Sequence, residues 1–301
     1  MEKNLKRSPL SRILIGCAEV FAALLVLLLI VVGISAFVCS REIKVTTYDA
    51  ALEGIESPAR LVVVSDLHGE TFGEDNEKLL TLVREQTPDA IVLLGDLVPV
   101  RCTQEDAAFI VHVTQQMQEI AQVYFAMGNH EVSFIQAYGD DWIDEVRGTG
   151  AIVLDEEWGD FQLCGSTVRF AGSLGHGYLF GRTSEEYLAS RDYEILSAME
   201  ESPYPAILLA HKPDIVALSD GRKNWHIDLV LSGHTHGGVI RIPGLGGLYA
   251  PMQGFRPRYD YGDFMLNDQM RLIITSGLAG YDKIPRIFNL PEICVIDLHA
   301  P

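Results

Sequence analysis

The chain has 301 residues, of which 48% are hydrophobic and 21% charged, an ordinary composition for a globular protein. Its net charge of −18 is uneven, because residues 1–40 hold four basic and two acidic side chains, a balance of +2, which leaves −20 for the remainder. Such an acidic chain lacks the basic patch expected for binding nucleic acid. None of the five cysteines has CxxC spacing, which argues against a disulfide framework or a zinc–cysteine site.

The first predicted element is an apolar segment near the N-terminus. Residues 13–38 contain a single carboxylate, Glu19, and a membrane-spanning helix needs roughly 20 apolar residues. A cleaved signal peptide is the alternative, because Ser35 and Ala36 are small, but its apolar region is usually only about 7–15 residues long. We therefore expect an uncleaved membrane anchor.

Charges on either side of this segment predict its orientation. The residues before it are basic, whereas the basic residues after it lie among the acidic residues Glu42 and Asp49. Positive charge tends to remain on the cytoplasmic side of a membrane, so the main part of the chain is predicted to be extracytoplasmic. The basic residues are Lys3, Lys6, Arg7 and Arg12 before the segment, and Arg41 and Lys44 after it.

The remaining chain is interpreted as a tether, residues 41–59, that starts a single folded domain, residues 60–301. Short apolar runs bounded by turn residues predict buried strands, and they alternate with predicted helices, which indicates α/β architecture. The predicted strands are Leu61–Ser65, Ala90–Leu94, Val123–Met127, Ile152–Leu154, Ile207–Ala210, Leu229–Ser232, Leu272–Ser276 and Ile293–Leu298. The predicted helices are Glu74–Gln86, Thr103–Ile120, Ser133–Arg147 and Ser184–Glu200.

Polar clusters follow five of the predicted strands at their carboxyl ends. In open α/β sheets the ligand crevice lies beyond these ends, so the five clusters can converge on one edge. Glycines at 69, 95, 128 and 233 are expected to let the backbone turn sharply beside them. The clustered polar residues are Asp66, His68, Asp96, Asn129, His130, His211, His234 and His236.

These residue types predict a metal centre. Imidazole and carboxylate together suit manganese, iron or zinc, and on an extended backbone residues i and i+2 share a face. Asp66 and His68, and likewise His234 and His236, would then each serve one site. Asp96 is the candidate to bridge two cations with its two oxygens. Two such ions bind phosphate oxygens and lower the pKa of a shared water, whose hydroxide attacks phosphorus.

Each residue also has a structural interpretation. A single histidine is more often structural than a ligand, Asp96 could cap a helix, and Asn129 could form a turn. The occurrence of these residues together favours the metal centre, because five of the nine histidines fall in the clusters that follow predicted strands. The other four, for which we expect structural or surface roles, are His112, His176, His226 and His299.

The ordered motifs resemble those of the calcineurin-like metallophosphoesterases. They are Asp66-x-His68, Gly95-Asp96, Gly128-Asn129-His130-Glu131, His211 and Gly233-His234-Thr235-His236. The resemblance covers about residues 60 to 298, and the sequence from Gly237 to Pro251 looks like that of the bacterial membrane-associated branch. It implies an α/β fold of two packed mixed β-sheets flanked by helices, a four-layer sandwich, here preceded by one transmembrane helix.

The resemblance also implies roles for individual residues. It implies two divalent metal ions, manganese, iron or zinc, with Asp96 between them and His130 contacting the substrate phosphate and protonating the leaving oxygen. A role for His130 in orienting the site is the alternative. Pro99 and Val239 depart from the usual family pattern, which leaves the substrate contacts open. The implied ligands are Asp66, His68 and His236 for one metal, and Asn129, His211 and His234 for the other.

The substrate is the least constrained prediction. The anchor and the family branch suggest a membrane-tethered phosphodiesterase acting on a lipid-linked or cell-envelope phosphoester. A metal-dependent hydrolase of a non-phosphate ester or amide and a catalytically weak membrane-tethered binding or sensor protein are the alternatives. Two groups near the C-terminal β-rich region could contact substrate or be solvated and packing residues. They are Arg256 and Arg258, for an anionic group, and Phe255, Tyr259 and Tyr261, for a lipid or nucleoside.

Overall fold

The computed structural model describes residues 9–174, 184–218, 225–281 and 284–301. Lys3, Lys6, Arg7 and His176 lie outside the described residues. The helices are α1 (Pro9–Cys39), α2 (Glu77–Glu85), α3 (Gln104–Gln118), α4 (Asn129–Tyr138), α5 (Asp141–Gly148), α6 (Ser184–Leu188), α7 (Arg191–Glu200) and α8 (Asp214–Ala217). The strands are β1 (Lys44–Ala51), β2 (Ala59–Val64), β3 (Ala90–Leu94), β4 (Gln122–Ala126), β5 (Ile152–Leu154), β6 (Trp158–Leu163), β7 (Ser166–Ser173), β8 (Ala206–Ala210), β9 (Leu229–Ser232), β10 (Arg241–Ile242), β11 (Gly246–Gly247), β12 (Tyr249–Ala250), β13 (Gly254–Phe255), β14 (Gly262–Met265), β15 (Arg271–Ile274) and β16 (Glu292–His299).

Helix α1 contains the predicted apolar segment. Its residues Ile13–Cys39 are long and apolar enough to cross a membrane, and none of its most apolar stretch is buried against the rest of the protein. At a rise of 1.5 Å per residue, these 27 residues extend about 40 Å, more than the roughly 30 Å of a bilayer's hydrocarbon core. Within the described residues, the length and exposure of α1 therefore fit a membrane span and not a buried core helix.

Two six-stranded mixed sheets form the body of the domain. The first has the strand order β1-β16-β2-β3-β4-β5, and the second β14-β15-β9-β8-β7-β6. Strands β2 to β5 are mutually parallel, as are β7, β8, β9 and β15. The carboxyl ends of β2, β3 and β4 thus lie at one edge of the first sheet, and those of β8 and β9 at one edge of the second.

The two sheets pack face to face with helices outside them. Apolar residues of both sheets, such as Val92 and Tyr124 of the first and Phe170 and Leu209 of the second, form one buried cluster between them. A second cluster lies between the first sheet and helices α2 to α5, and a third between the second sheet and α7 and α8. This arrangement of helix, sheet, sheet and helix confirms the predicted four-layer fold class.

Local differences from the sequence expectations have identifiable causes. The predicted tether contains β1, which pairs in parallel with β16; its half-buried, alternating pattern leaves no apolar run to reveal it. The predicted helix Ser133–Arg147 is two helices, because Gly139 adopts φ 96° and ends α4. The predicted helix Ser184–Glu200 is also divided, since the Ser190 side chain accepts a hydrogen bond from the Tyr193 N–H and starts α7.

Candidate metal centre

The predicted site residues of both sheets meet at the carboxyl ends of their strands. The first sheet contributes the residues that follow β2, β3 and β4, and the second contributes those that follow β8 and β9. The side chains form three overlapping groups, and within each group one potential ligand atom per residue lies within 4.8 Å of the others. The groups are Asp66, His68 and His236; His68, Asp96 and His130; and Asp96, His211 and His234.

The first group points imidazole nitrogens at one carboxylate. Asp66 Oδ1 lies 3.7 Å from His236 Nε2 and 3.9 Å from His68 Nε2. His236 Nδ1 lies 3.3 Å from the Ala279 carbonyl oxygen, so donation from Nδ1–H leaves Nε2 as the acceptor facing Asp66. A second hydrogen bond that fixes the tautomer in this way is typical of histidines that bind metals.

In the group of Asp96, His211 and His234, His211 likewise contacts a backbone carbonyl with one ring nitrogen and a carboxylate with the other. His211 Nδ1 lies 2.7 Å from the Leu94 carbonyl oxygen, and its Nε2 lies 3.1 Å from Asp96 Oδ2. Asp96 Oδ1 accepts a hydrogen bond from the His130 N–H at 2.9 Å. Asp96 belongs to two of the three groups, so it stands between the two sets of histidines.

Whether metal ions fit this centre can be judged from its buried polar atoms that have no hydrogen-bond partner. Among the described residues, His68 Nε2, Asn129 Oδ1 and both ring nitrogens of His234 are buried and accept or donate no hydrogen bond. Leaving one such group unpaired costs roughly 1–3 kcal/mol, so a cluster of them needs a ligand to offset the cost. Nitrogen and oxygen acceptors converging on carboxylates are the donor set of Mn²⁺, Fe²⁺ or Zn²⁺, and the centre therefore fits divalent cations.

The electrostatics of the centre keep most of its imidazoles neutral. Burial lowers the pKa of His68 and of His234 to about 3, and that of His236 well below its usual value. Burial alone would also lower the pKa of His211, but the adjacent Asp96 and Asp66 raise it to about 9. Metal binding through His211 must therefore displace a proton, because only the neutral ring is a ligand.

The two carboxylates respond differently to burial. Burial raises the pKa of Asp66 to about 6, although His211 opposes the shift. Burial also disfavours ionisation of Asp96, but His211 and the neighbouring imidazoles hold its pKa well below its usual value. Asp96 is thus the more firmly ionised of the two carboxylates.

The backbone at the ligands is left-handed, not extended. Five ligand residues have positive φ, between 48° and 66°, a conformation that costs a residue other than glycine on the order of 1–3 kcal/mol. The extended backbone expected for the i, i+2 pairs is therefore wrong. Asp66 and His68 still share a group, but His234 and His236 fall into different groups. The five residues are Asp66, His68, Asp96, His234 and His236.

Two of the motif glycines serve close packing. Gly128 has φ −107°, so a sharp left-handed turn is not the reason for it. A Cβ atom there would overlap Asp96, and a Cβ at Gly233 would overlap Ser65 and Asp66. Both positions require glycine because the carboxylates of Asp96 and Asp66 lie against their backbones.

Glu131 is a residue whose role the sequence analysis missed. It is fully buried, and its carboxylate accepts four backbone hydrogen bonds, from the N–H groups of Asp96, Leu97, Val98 and Gly128 at 2.7–3.1 Å. It therefore ties the loop after β3 to the start of α4. Its position three residues into a helix after Gly128, where a carboxylate can accept from the N-cap N–H, was the available signal.

Replacing Glu131 with glutamine is expected to destabilise the protein by roughly 3 kcal/mol, because the amide NH₂ faces buried N–H donors and leaves them unpaired. Thermal unfolding of the metal-free protein measures the effect. Glu145→Gln is the matched control, since Glu145 is exposed on α5. Equal melting temperatures for the two variants would contradict the assigned role.

Arg286 and Asn289 also support the centre without an obvious sequence signal. Arg286 is 4% exposed and donates hydrogen bonds to the carbonyls of Ser276 and Ala279. The same Ala279 carbonyl lies against His236 Nδ1. Asn289 donates to the His236 carbonyl at 2.7 Å. Both residues act through backbone carbonyls and not as ligands, so the ligand motifs do not reveal their roles.

The four other described histidines lie either beside the metal centre or away from it. His130 Nδ1 lies 3.1 Å from His68 Nδ1 and 3.2 Å from the Val98 carbonyl oxygen, and its Nε2 lies 3.6 Å from Asp96 Oδ2. His112 contacts Asp75, His299 contacts Asp49, and His226 is exposed. These three histidines lie outside the metal centre.

The C-terminal candidates divide between the surface and the interior. Phe255 is 76% exposed, and Arg256 and Arg258 are exposed beside it. Tyr259 is 9% exposed, and the Tyr261 hydroxyl donates to Glu292 at 2.9 Å. Tyr259 is therefore a packing residue of the interior, whereas Tyr261 is partly exposed, and a substrate contact for it stays a prediction.

Comparison with known proteins identifies the family. The family model described as calcineurin-like phosphoesterase matches residues 59–238, more than half of the chain. The chain belongs to the calcineurin-like phosphoesterase family. This membership confirms the resemblance in the motifs, and all the predicted metal ligands lie within the matched residues.

Three relatives are similar to the chain over most of its length. An uncharacterized metallophosphoesterase of Campylobacter jejuni is 27% identical over 85% of the chain and 63% of its own length. The transmembrane protein with metallophosphoesterase domain of Danio rerio is 29% identical over 85% of the chain and 56% of its own length. Phosphodiesterase YaeI of Escherichia coli is 27% identical over 80% of the chain and 83% of its own length. The chain thus spans less than two thirds of the first two relatives.

Proposed function

We propose that the protein is a membrane-anchored, two-metal phosphoesterase whose substrate is a phosphodiester, lipid-linked or part of the cell envelope. The observation that carries this proposal is the position of Asp96 between two groups of buried imidazoles. Family membership supports the reaction class. The unpartnered ligand atoms support the metals, because they lie where two cations would share one carboxylate.

The proposed ligand sets follow the geometry of the groups. Asp66, His68 and His236 would hold one cation, and Asp96 would be shared with the second. Asn129, whose buried Oδ1 has no partner among the described residues, joins His211 and His234 in holding the second. When bound, the cations bind phosphoryl oxygens and lower the pKa of a water molecule.

His130 supplies the proton for the leaving group in this proposal. Its ring is partly exposed beside the centre, with a side-chain exposure of 15%, and its Nδ1–H can donate to the Val98 carbonyl. The Nε2 atom is then free to carry a proton toward the leaving alkoxide oxygen. Imidazole is suited to this role because it gains and loses a proton near neutral pH.

Helix α1 is the proposed anchor. It is the one helix among the described residues that is long and apolar enough to cross a membrane, and the zebrafish relative is named a transmembrane protein. The basic residues before α1 favour a cytoplasmic N-terminus. The catalytic domain would then lie on the extracytoplasmic side, where envelope and lipid phosphoesters are available.

Hydrolysis assays of the full-length protein in detergent with Mn²⁺ test the proposal. We expect turnover of bis(p-nitrophenyl) phosphate that exceeds turnover of p-nitrophenyl phosphate and is lost on chelation. Hydrolysis of p-nitrophenyl acetate or a p-nitroanilide without phosphoester hydrolysis would favour a different metal-dependent hydrolase. No hydrolysis of any of them, with metals bound, would favour a binding or sensor role.

A further inference from the structure

Two connected loops beside the metal centre carry exposed apolar side chains. The segment 240–255 and the segment 284–288 are joined by a bridge between Ile240 and Ile287 and by a hydrogen bond from the Arg241 N–H to the Ile287 carbonyl at 3.0 Å. Large apolar side chains project from both segments, and we call them the apolar rim. The rim consists of Ile242, Leu245, Met252, Phe255, Ile284 and Phe288, with exposures of 40–76%.

The rim contacts the proposed membrane anchor directly. The Phe288 N–H donates a hydrogen bond to Ser35 Oγ at 2.6 Å. Ser35 precedes Cys39, the last residue of α1, by four positions, or about 6 Å along the helix axis. A loop of the catalytic domain therefore lies level with the last turns of the apolar helix, near its C-terminal end.

An apolar pocket of about 350 Å³ opens between the rim and the metal centre. Its lining is apolar or aromatic, and it begins two residues beyond the metal-ligand candidate His236. The Tyr281 ring in its wall lies 5.3 Å from the His236 ring. The lining residues are Gly238, Val239, Ile240, Leu248, Tyr249, Phe255, Tyr281 and Ile284.

The pocket also adjoins the end of the anchor. Ile284 lines both this pocket and a second cavity of about 280 Å³, whose other walls include Ala36 and Cys39 of α1. Ile284 thus lies between the apolar pocket and a cavity at the end of the membrane helix, which Glu70 and Arg286 also line. Arg256 and Arg258, exposed next to Phe255, add positive charge beside the rim.

We infer that the apolar rim lies in the bilayer surface and that the apolar pocket takes an acyl chain of a lipid phosphoester, whose phosphate then reaches the metal centre. This inference rests on the proposed function, because it specifies the substrate of the same site. A lipid is favoured over a protein partner because the rim is continuous with the helix that crosses the membrane. A single-pass anchor next to the rim holds the pocket at the membrane surface at all times.

Tryptophan quenching in the full-length protein tests the position of the rim. The protein is incorporated into nanodiscs of phosphatidylcholine and phosphatidylglycerol with brominated acyl chains, which quench indole fluorescence at membrane depth. Phe255→Trp and Phe288→Trp are compared with Tyr204→Trp, measured as differences from the unsubstituted protein. Tyr204 is 40% exposed and precedes β8, so it lies at the opposite end of that strand from the metal ligand His211.

We expect the added tryptophan at 255 or 288 to lose at least half of its fluorescence and the added tryptophan at 204 to lose none. Equal quenching at all three positions, or quenching at none of them, would overturn the inference about the rim. Because this measurement needs no turnover, it is independent of the proposed enzymatic activity.

Chain-length selectivity tests the pocket. The substrates are p-nitrophenyl phosphodiesters of dioleoylglycerol and dibutyrylglycerol, each in detergent micelles with Mn²⁺. Phe255→Asp places a charge in the pocket wall and is expected to lower the ratio of long-chain to short-chain kcat/KM by roughly tenfold or more, since even one methylene in an apolar pocket changes selectivity measurably. Met265→Asp is the control, because Met265 is 62% exposed on β14 and lines neither cavity.

The outcomes separate this inference from the proposed function. An unchanged ratio in Phe255→Asp, or an equal change in Met265→Asp, would overturn the acyl-chain pocket while leaving the phosphodiesterase proposal intact. Absence of hydrolysis of both substrates and of bis(p-nitrophenyl) phosphate by the unsubstituted protein would instead contradict the proposed function.

Discussion

Asp96→Asn is expected to lower phosphodiester turnover by on the order of 10³-fold, the scale seen when a group that stabilises the transition state is removed. Asparagine has nearly the same size and can still accept the hydrogen bond from the His130 N–H. It has no negative charge and only one oxygen, so it cannot be shared between two cations. We therefore expect the bound metal to fall from two equivalents to one or none.

Metal analysis and steady-state kinetics of the full-length protein measure both effects. Thermal unfolding in EDTA shows whether the fold survives, and we expect cooperative unfolding at a lower temperature than that of the unsubstituted protein, because the metal-free variant loses the buried ion pair between Asp96 and His211. Asp144→Ala is the control, since the Asp144 side chain is 81% exposed on α5. Full turnover with two bound metals in Asp96→Asn would refute the shared carboxylate.

His130→Ala is expected to slow turnover by roughly 10²–10⁴-fold, the usual contribution of a general acid, while both metals remain bound. The physical reason is that the leaving oxygen then departs without a proton from the chain. The loss should shrink for substrates whose leaving group is a weak base, such as p-nitrophenolate, and grow for alkyl leaving groups. Kinetics with a p-nitrophenyl and a methyl phosphodiester measure the difference.

His112→Ala is the matched control, because His112 lies on α3, where its ring contacts Asp75 at 3.2 Å. If His130 only orients the site through His68 or Asp96, its removal will slow both substrates equally and will weaken metal binding. That pattern would assign His130 a positioning role in place of proton donation.

The sequence predicted the site residues that directly follow strands. The ligand motifs follow short apolar runs, and parallel strands bring their carboxyl ends together, so the convergence of residues after β2, β3, β4, β8 and β9 was predictable. The four-layer fold followed from the family resemblance. Strands β1 and β6 were missed because their half-buried positions alternate with exposed ones, which leaves no apolar run to detect.

The detailed geometry was not predictable from residue patterns. Left-handed backbone at Asp66 and His234 is maintained by long-range contacts: the Asp66 N–H donates to the Gly95 carbonyl, and the His234 N–H donates to Asp66 Oδ1. Such contacts join residues up to 168 positions apart, and local sequence does not encode them. Arg286 was missed although its partners lie only 7 and 10 positions away, since it acts on carbonyl groups instead of on ligands.

The contact between the anchor and the catalytic domain was equally invisible in the sequence. The hydrogen bond between Ser35 and Phe288 spans 253 positions, and neither residue belongs to a motif. An apolar run predicts only that a helix can cross a membrane, not which loop of the domain lies against it. The proposed lipid specificity depends on that contact and on the pocket beside it.

The most direct test of the central claim is a metal titration of the full-length apoprotein in detergent, with bound Mn²⁺ and phosphodiester turnover measured on the same samples. We predict two equivalents of tightly bound metal per chain, with turnover that appears only as the second equivalent binds. Asp66→Ala and His234→Ala should each lose one equivalent and the activity. Full turnover with one equivalent or with none would contradict a two-metal phosphoesterase centre.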